Sequence, residues 1–260
     1  MARAAPRHDR DAGGDPQLLA AKARLRQEVW SGLRAAGVAR FPGAEGRIPN
    51  FVGAEAAAER LRRTDVWTSA ETVKSNPDAP QWPVRQRVLE DGKTLFMAVP
   101  RLADPRPFFR LDPERLRTTP RKASSIKGAS TAGRKVDLDE LEPVDLVVTG
   151  CVAVGEDGAR LGKGGGFSDL ELALAAAAGL VGRETVVVTT VHDLQVRPAG
   201  TVPRADHDVG VDVVVTPTRV IRPRRRGRRV APRLRWEELT EEKVAAIPLL
   251  ASLRRAEGRR

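Results

Sequence analysis

The sequence predicts an α/β protein built on a mostly parallel sheet flanked by helices. Three observations carry this. Apolar runs recur at residues 94–99, 144–154, 185–191 and 211–216. Each is apolar at successive positions instead of alternating, the pattern of a strand buried on both faces. Stretches with helical spacing and polar loops lie between them, the order of βαβ units. Ligands of such sheets sit beyond the carboxyl ends of the strands. The glycine-rich stretch 160–171, His192 and the end of the 94–99 strand are therefore expected on one rim.

From the N-terminus, residues 1–15 read as a disordered tail rich in Ala, Arg, Gly and Asp. Leu18, Leu19, Ala21, Leu25, Val29, Trp30 and Leu33 give an apolar stripe that predicts a helix over 17–37, stopped at Gly37. Lys22 and Arg26 lie four apart and share a face of it, as a solvated pair or as cations for a phosphate. A Pro/Gly connection (41–51) precedes a short amphipathic helix over 54–63, and strands are expected at 65–70 and 72–74. Residues 75–80 carry a turn signal with two prolines, and 84–90 read as a helix closed at Asp91-Gly92. Prolines 105, 107, 113 and 120 break residues 101–136, which read as a long surface excursion with one short helix. Residues 236–253 read as a helix opened by Thr240, with a kink or restart at Pro248.

The chain is organised around residues 160–171. An apolar run precedes them, and Leu172-Ala173-Leu174 opens an alanine-rich helix that stops at Gly179. Ser168 and Glu171 fit a capping box, which predicts a helix start at Ser168. A strand, a glycine loop and a helix start together bind anions, because free N–H groups and the positive helix end point into the loop. Gly162, Gly164, Gly165 and Gly166 allow close backbone approach, and Arg160 and Lys163 add full charges. The spacing matches neither a P-loop nor a dinucleotide fingerprint. On chemistry alone the stretch is either a phosphate cradle or a flexible connection.

At 260 residues, with 41% hydrophobic and 30% charged residues, the composition is that of a soluble globular protein. No apolar run approaches the roughly 20 residues needed to span a bilayer, and no signal-peptide core is present. A cytoplasmic location is expected. Cys151 is the single cysteine, which excludes an internal disulfide and reads as a buried core residue. Three histidines, His8, His192 and His207, are too dispersed for a zinc signature. No Gly-x-Ser-x-Gly elbow occurs. His192-Asp193 and His207-Asp208 suit either acid–base work or the fixing of loops. Much of the net charge of +11 is local: eight arginines and no acid lie in the stretch from Arg222 to Arg235. That patch is either a solvated connector or a contact for nucleic-acid phosphates.

Three signals stand in one order: Lys22-x-x-x-Arg26, then Arg160-Leu-Gly-x-Gly-x-Gly-Phe-x-Asp169, then Pro203-x-x-x-His207-Asp208-x-x-x-Asp212. In this the chain resembles the 5-formyltetrahydrofolate cyclo-ligase (methenyltetrahydrofolate synthetase) family. It is closer still to the divergent methenyltetrahydrofolate synthetase domain-containing branch, through Arg47-Ile-Pro-Asn-Phe51, Val191-His-Asp193 and Thr216-Pro-Thr-Arg-Val220. The resemblance spans about residues 17–222, so a cyclo-ligase-like domain is expected over 16–222. A basic connector and C-terminal helix would follow over 223–260. It implies a fold shared with sugar-phosphate isomerases and coenzyme A transferases. It also implies an ATP- and Mg²⁺-dependent closure of 5-formyltetrahydrofolate to 5,10-methenyltetrahydrofolate, or chemistry on a related small acceptor.

By this resemblance Lys22 and Arg26 hold phosphates, and Gly162, Lys163, Gly164, Gly165, Gly166 and Phe167 cradle them. Arg160 and Lys163 stabilise the transferring charge, and Asp169 helps place Mg²⁺. Asp78 and Ser168 fall on the substrate side. The departures cluster on that side. Phe167 and Ser168 stand where the family carries two aromatics, and Leu170 replaces a basic residue. Asp78 replaces a glutamate, and residues 101–136 hold no counterpart of a folate-stacking aromatic. The reading from a different class is a nucleotide- or RNA-binding protein that keeps the scaffold without the reaction.

Overall fold

The structure, a computed structural model, describes residues 15–137, 140–164, 167–205, 208–224 and 232–257. Helix α1 (Pro16–Ala35) opens with proline in its first turn and is capped by Asp15, whose carboxylate accepts from the Gln17 N–H at 2.9 Å. Asp15, expected in the tail, thus belongs to the helix. There follow α2 (Ala54–Arg62), the short turn α3 (Asp65–Thr68), β1 (Thr72–Ser75), α4 (Trp82–Glu90) and β2 (Thr94–Ala98). The strand expected at 65–70 is this helical turn, which sends Trp67 inward so that its indole N–H donates to Asp91 at 2.8 Å.

Residues 101–136 hold more structure than expected: β3 (Phe108–Leu111), α5 (Pro120–Ala123), α6 (Ile126–Ala132) and β4 (Arg134–Val136). Prolines 105, 107 and 113 sit between these elements and Pro120 opens α5, so no ladder or helix hydrogen bond is lost. The apolar run 144–154 is not one strand. It divides into β5 (Leu146–Thr149) and β6 (Ala153–Gly155), and the chain changes sheets between them. After β7 (Arg160–Leu161) come α7 (Phe167–Ala177), β8 (Val186–Thr190), β9 (Val196–Arg197), β10 (Val213–Val215) and β11 (Val220–Ile221). The expected C-terminal helix is two, α8 (Glu241–Ala246) and α9 (Pro248–Glu257), restarted at Pro248. The Thr240 side chain caps α8 by accepting from the Lys243 N–H at 3.2 Å.

The main sheet runs β11-β10-β8-β5-β1-β2-β3-β4. Its five central strands are parallel and its three outer strands antiparallel, so the sheet is mostly parallel as the sequence predicts. A second sheet, β7-β6-β9, stands beside it. From β1 the chain steps to β2 on one side, while β5 lies on the other. The carboxyl ends of β1 and β5 therefore form a switch point, the crevice where such sheets bind ligands.

Alternation along the strands sorts the core. On one face Phe96, Val147, Val187 and Val214 pack against Leu170, Leu172 and Leu174 of α7 and against Val244 and Leu250 of the two C-terminal helices and Ile247 between them. On the other, Val73, Leu95, Met97 and Val148 meet Leu61 of α2 and Val84 and Val88 of α4. A third cluster joins Val29, Trp30 and Leu33 of α1 to Ala153 and Leu161 of the small sheet. Each such aliphatic side chain, fully buried, contributes about 1.5–3 kcal/mol. The C-terminal helices thus share the core of the α/β unit. Among the described residues no helix is long and apolar enough to cross a membrane.

Candidate functional site

Helix α1 packs on the small sheet, and β7 leads from that sheet into the glycine loop. This brings the two halves of the expected phosphate site together. The Arg26 side chain, buried, donates from Nε to the Gly162 carbonyl at 2.9 Å. One turn earlier, Lys22 Nζ lies 2.6 Å from Asp208 Oδ2. Asp208 also accepts from the Ala205 N–H at 2.8 Å. Arg160, at the end of β7, is ion-paired with Asp169 in the first turn of α7. Its side chain is 1% exposed, and Nη1 is buried without a hydrogen-bond partner among the described residues. Gly164 adopts φ +108°, a conformation that favours glycine. A β-carbon built on Gly162 meets nothing within 4 Å, so there is open space beside that position.

Gly165 and Gly166, expected in the cradle, lie outside the described residues, as do Asp206 and His207. Phe167 and Ser168 form the first turn of α7, and their side chains are likewise outside the description. The helix opens at Phe167, one residue before the expected start. Glu171 does not fold back as the expected cap: its carboxylate is ion-paired with Lys74 of β1. The charge inside the sheet draws it inward.

Beside the loop, at the switch point, is a cleft of about 340 Å³ lined by Arg47, Ile48, Asp78, Trp82, Ser125 and Lys163 among others. Lys163 is exposed and spans from the glycine loop to this cleft. Burial holds the Asp78 carboxyl above the usual carboxylate range, and the charges of Lys163, Arg85 and Lys74 partly offset it. Arg85, buried on α4, fixes the Asp78 turn by donating to the carbonyls of Asn76 at 2.5 Å, Asp78 at 3.0 Å and Ser124 at 2.9 Å. Burial lowers its pKa to about 10, and the Asp78 charge opposes that shift. The cleft has an aromatic wall, but it comes from α4 and not from residues 101–136. The Trp82 indole donates to the Arg121 carbonyl and to Ser124 Oγ, both at 3.1 Å.

Sequence reasoning missed Lys74, Trp82 and Arg85. Lys74 stands in the strand Thr-Val-Lys-Ser, which has a single apolar residue, so its burial left no local signal. His192 and Asp193 follow β8 on the expected rim and act as loop fixers. His192 Nδ1 accepts from the Leu194 N–H at 3.1 Å, and Asp193 accepts from Thr216 and Thr218 at 2.7 and 2.6 Å. Of the basic stretch, residues 225–231 lie outside the description. Arg222 is ion-paired with Asp65, and Arg235 with Glu237 at 3.2 Å.

The arrangement gathers positive charge around the glycine loop. The buried unpartnered arm of Arg160, the open space beside Gly162 and the gathered cations all match an anion of high charge. Among the described residues no three His, Cys, Asp or Glu side chains gather as a metal cage. A magnesium ion needs no such cage, since one carboxylate and the phosphates themselves suffice. Asp169, 45% exposed on its side chain, fits that single role.

Fold and site define an α/β protein with a glycine loop flanked by cationic side chains at the rim of its parallel sheet. The chain belongs to the 5-formyltetrahydrofolate cyclo-ligase family, whose sequence profile matches residues 15–217. It is 39% identical over 251 residues to a Bos taurus methenyltetrahydrofolate synthase domain-containing protein, covering 94% of this chain and 64% of that one. The Homo sapiens protein of the same description is 38% identical over 244 residues, covering 91% and 62%. The chain thus spans less than two thirds of the length of these relatives. Among solved structures it resembles the NMR structure of Aquifex aeolicus 5,10-methenyltetrahydrofolate synthetase, with a TM-score of 0.51 and 22% identity over 80% of this chain and 94% of that one. That likeness concerns the fold.

Proposed function

We propose that this chain is an ATP- and Mg²⁺-dependent enzyme of the 5-formyltetrahydrofolate cyclo-ligase type, forming 5,10-methenyltetrahydrofolate or closing a ring on a related small acceptor. The observation that supports it most is the meeting of two half-sites. Lys22, Arg26, Arg160 and Lys163 gather at the glycine loop, and Lys163 also borders the cleft that holds Asp78. A phosphoryl donor and an acceptor bound in these half-sites would lie side by side.

In the proposed reaction the formyl oxygen takes the γ-phosphoryl group of ATP and ADP leaves; N10 then attacks the activated carbon and gives up its proton, and inorganic phosphate departs with that oxygen and proton. Positioning and charge neutralisation carry most of such a transfer. Lys22 and Arg26 bind phosphate oxygens, and the glycine loop would offer them backbone N–H groups. Arg160 and Lys163 balance the charge that develops between donor and acceptor. Asp169, with the phosphates, would hold the magnesium ion, which when bound neutralises phosphate charge. Asp78 accepts a ring N–H of the acceptor, and Trp82 walls the cleft against water.

The test mixes the full chain with 5-formyltetrahydrofolate, ATP and Mg²⁺ and follows methenyltetrahydrofolate absorbance. Turnover that needs all three and is lost in Lys22→Ala is the expected result. Absence of turnover with ATP still bound would move the phosphate site to another acceptor or to a binding role.

A further inference from the structure

On β1 the residue in register with Phe96 of β2 and Val147 of β5 is Lys74. Phe96 and Val147 belong to the apolar layer between the sheet and α7, so this layer contains a lysine where its neighbours are hydrocarbon. The Lys74 side chain is 1% exposed. Its ammonium pairs with the buried Glu171 carboxylate and donates to Asn76 Oδ1 at 3.2 Å. Buried ion pairs are poor devices for stability. Desolvation offsets their attraction, and apolar pairs of similar volume do as well or better. Directional charge instead fixes one element against another in a single register.

We propose that Lys74 and Glu171 are positioning residues, whose ion pair sets the first turn of α7, and Asp169 with it, against the switch-point cleft. Two other contacts hold the same region from other sides. Arg26 of α1 holds the Gly162 carbonyl, and Arg160 of β7 holds Asp169. The Lys74–Glu171 pair is the tether from the main sheet itself. It stands next to the site, since Asn76 and Asp78 follow Lys74 directly out of β1. The charges of Lys74 and Asp78 act on each other, as do those of Asp78 and Glu171. Removing the pair leaves α7 seated by Leu170, Leu172 and Leu174, which fix depth but tolerate sliding along the sheet.

The test is the double variant K74M/E171L in the full chain, an apolar pair of similar volume. Its melting temperature is expected to equal or exceed that of the wild type. Amide exchange at Glu171 to Leu174, within the first turns of α7, is expected to rise about tenfold with the β2 and β8 amides unchanged. The effect on catalysis rests on the cyclo-ligase reading: kcat/KM should fall about 100-fold, as an ångström-scale misplacement costs. Wild-type protein without turnover would count against that reading alone, because the exchange measurement still decides the tether. Exchange in α7 at the wild-type rate, or a rise shared evenly by the whole sheet, overturns the proposal. If the double variant does not fold, K74M alone serves, because it removes the cation of the tether and keeps the apolar contacts of α7. The same two exchange outcomes then apply.

Discussion

Lys22 Nζ sits 2.6 Å from Asp208 Oδ2 and joins the first helix to the loop ahead of β10, across 186 residues of chain. Side chains on both sides are largely buried, at 14% and 17% exposure. The pair holds a cation at the mouth of the glycine loop, where a phosphate oxygen would compete with Asp208 for it.

Lys22→Ala should therefore separate stability from function. Asp208 keeps the Ala205 N–H when Lys22 is lost, so the denaturation midpoint should fall by less than the about 3–5 kcal/mol that breaking a fully buried pair costs. Loss of a charged group aimed at a transferring phosphate costs about 10²–10³ in turnover. Paired denaturation curves and steady-state assays check both halves. An active Lys22→Ala enzyme would remove this residue from the site.

Asp78 carries a pH signature. Burial raises its carboxyl above the ordinary 3.8, against the opposing charges of Lys163, Arg85 and Lys74. A carboxyl with a raised folded value binds its proton more tightly in the native state. Its contribution is fully present below the unfolded value and is lost as pH rises through the folded one. Asp78→Asn, which has no charge to bury, should thus melt higher than wild type at pH 7, with the gain shrinking toward pH 4. The same change removes a charged acceptor worth about 1.5–3 kcal/mol to a bound N–H donor. Activity should fall about 10- to 100-fold while stability rises. Melting curves across pH 4–8 and assays at pH 7 read the two effects.

The sequence made the parallel centre of the sheet legible because β2, β8 and β10 are continuous apolar runs between polar loops. Lys22, Arg26 and the glycine loop were legible as a set only through their family order, since each alone also suits a solvated surface. The antiparallel edge was not legible. Phe108–Leu111 and Arg134–Val136 are short, lie among prolines and need a neighbouring strand to define them. Nor was the break after Thr149, because the apolar run continues while the chain moves from one sheet to another. The Lys74–Glu171 pair joins residues 97 apart, and no local pattern links such positions.

Cys151 should be inert in the native protein. It is fully buried just past β5, with Sγ 3.3 Å from Thr189 Oγ1, and burial pushes its thiol up to about 11. At pH 8 roughly one such thiol in a thousand is ionised, and the thiolate is the reacting form. A disulfide reagent at pH 8 should label no cysteine in native protein and one per chain in guanidinium. Rapid native labelling would show that the end of β5 opens readily.

Gly150 marks how tightly the switch point is packed. A β-carbon there would lie 2.7 Å from Ile48 Cγ2 and 2.8 Å from Gln81 Oε1, both on buried residues. Ile48 and Gln81 are both buried, so either must repack to make room for the added methyl. Gln81 is further held by its amide, which donates to the Thr190 carbonyl at 3.4 Å. Gly150→Ala should therefore cost about 1–3 kcal/mol by overpacking, read as a lower midpoint in urea. It should also disturb the cleft, because Ile48 lines it and Gln81 ends the turn that starts at Asp78. The control is Gly182→Ala, whose β-carbon meets nothing within 4 Å and whose stability should stay near wild type. A Gly150→Ala protein as stable and as active as that control would mean the crevice is looser than these contacts require.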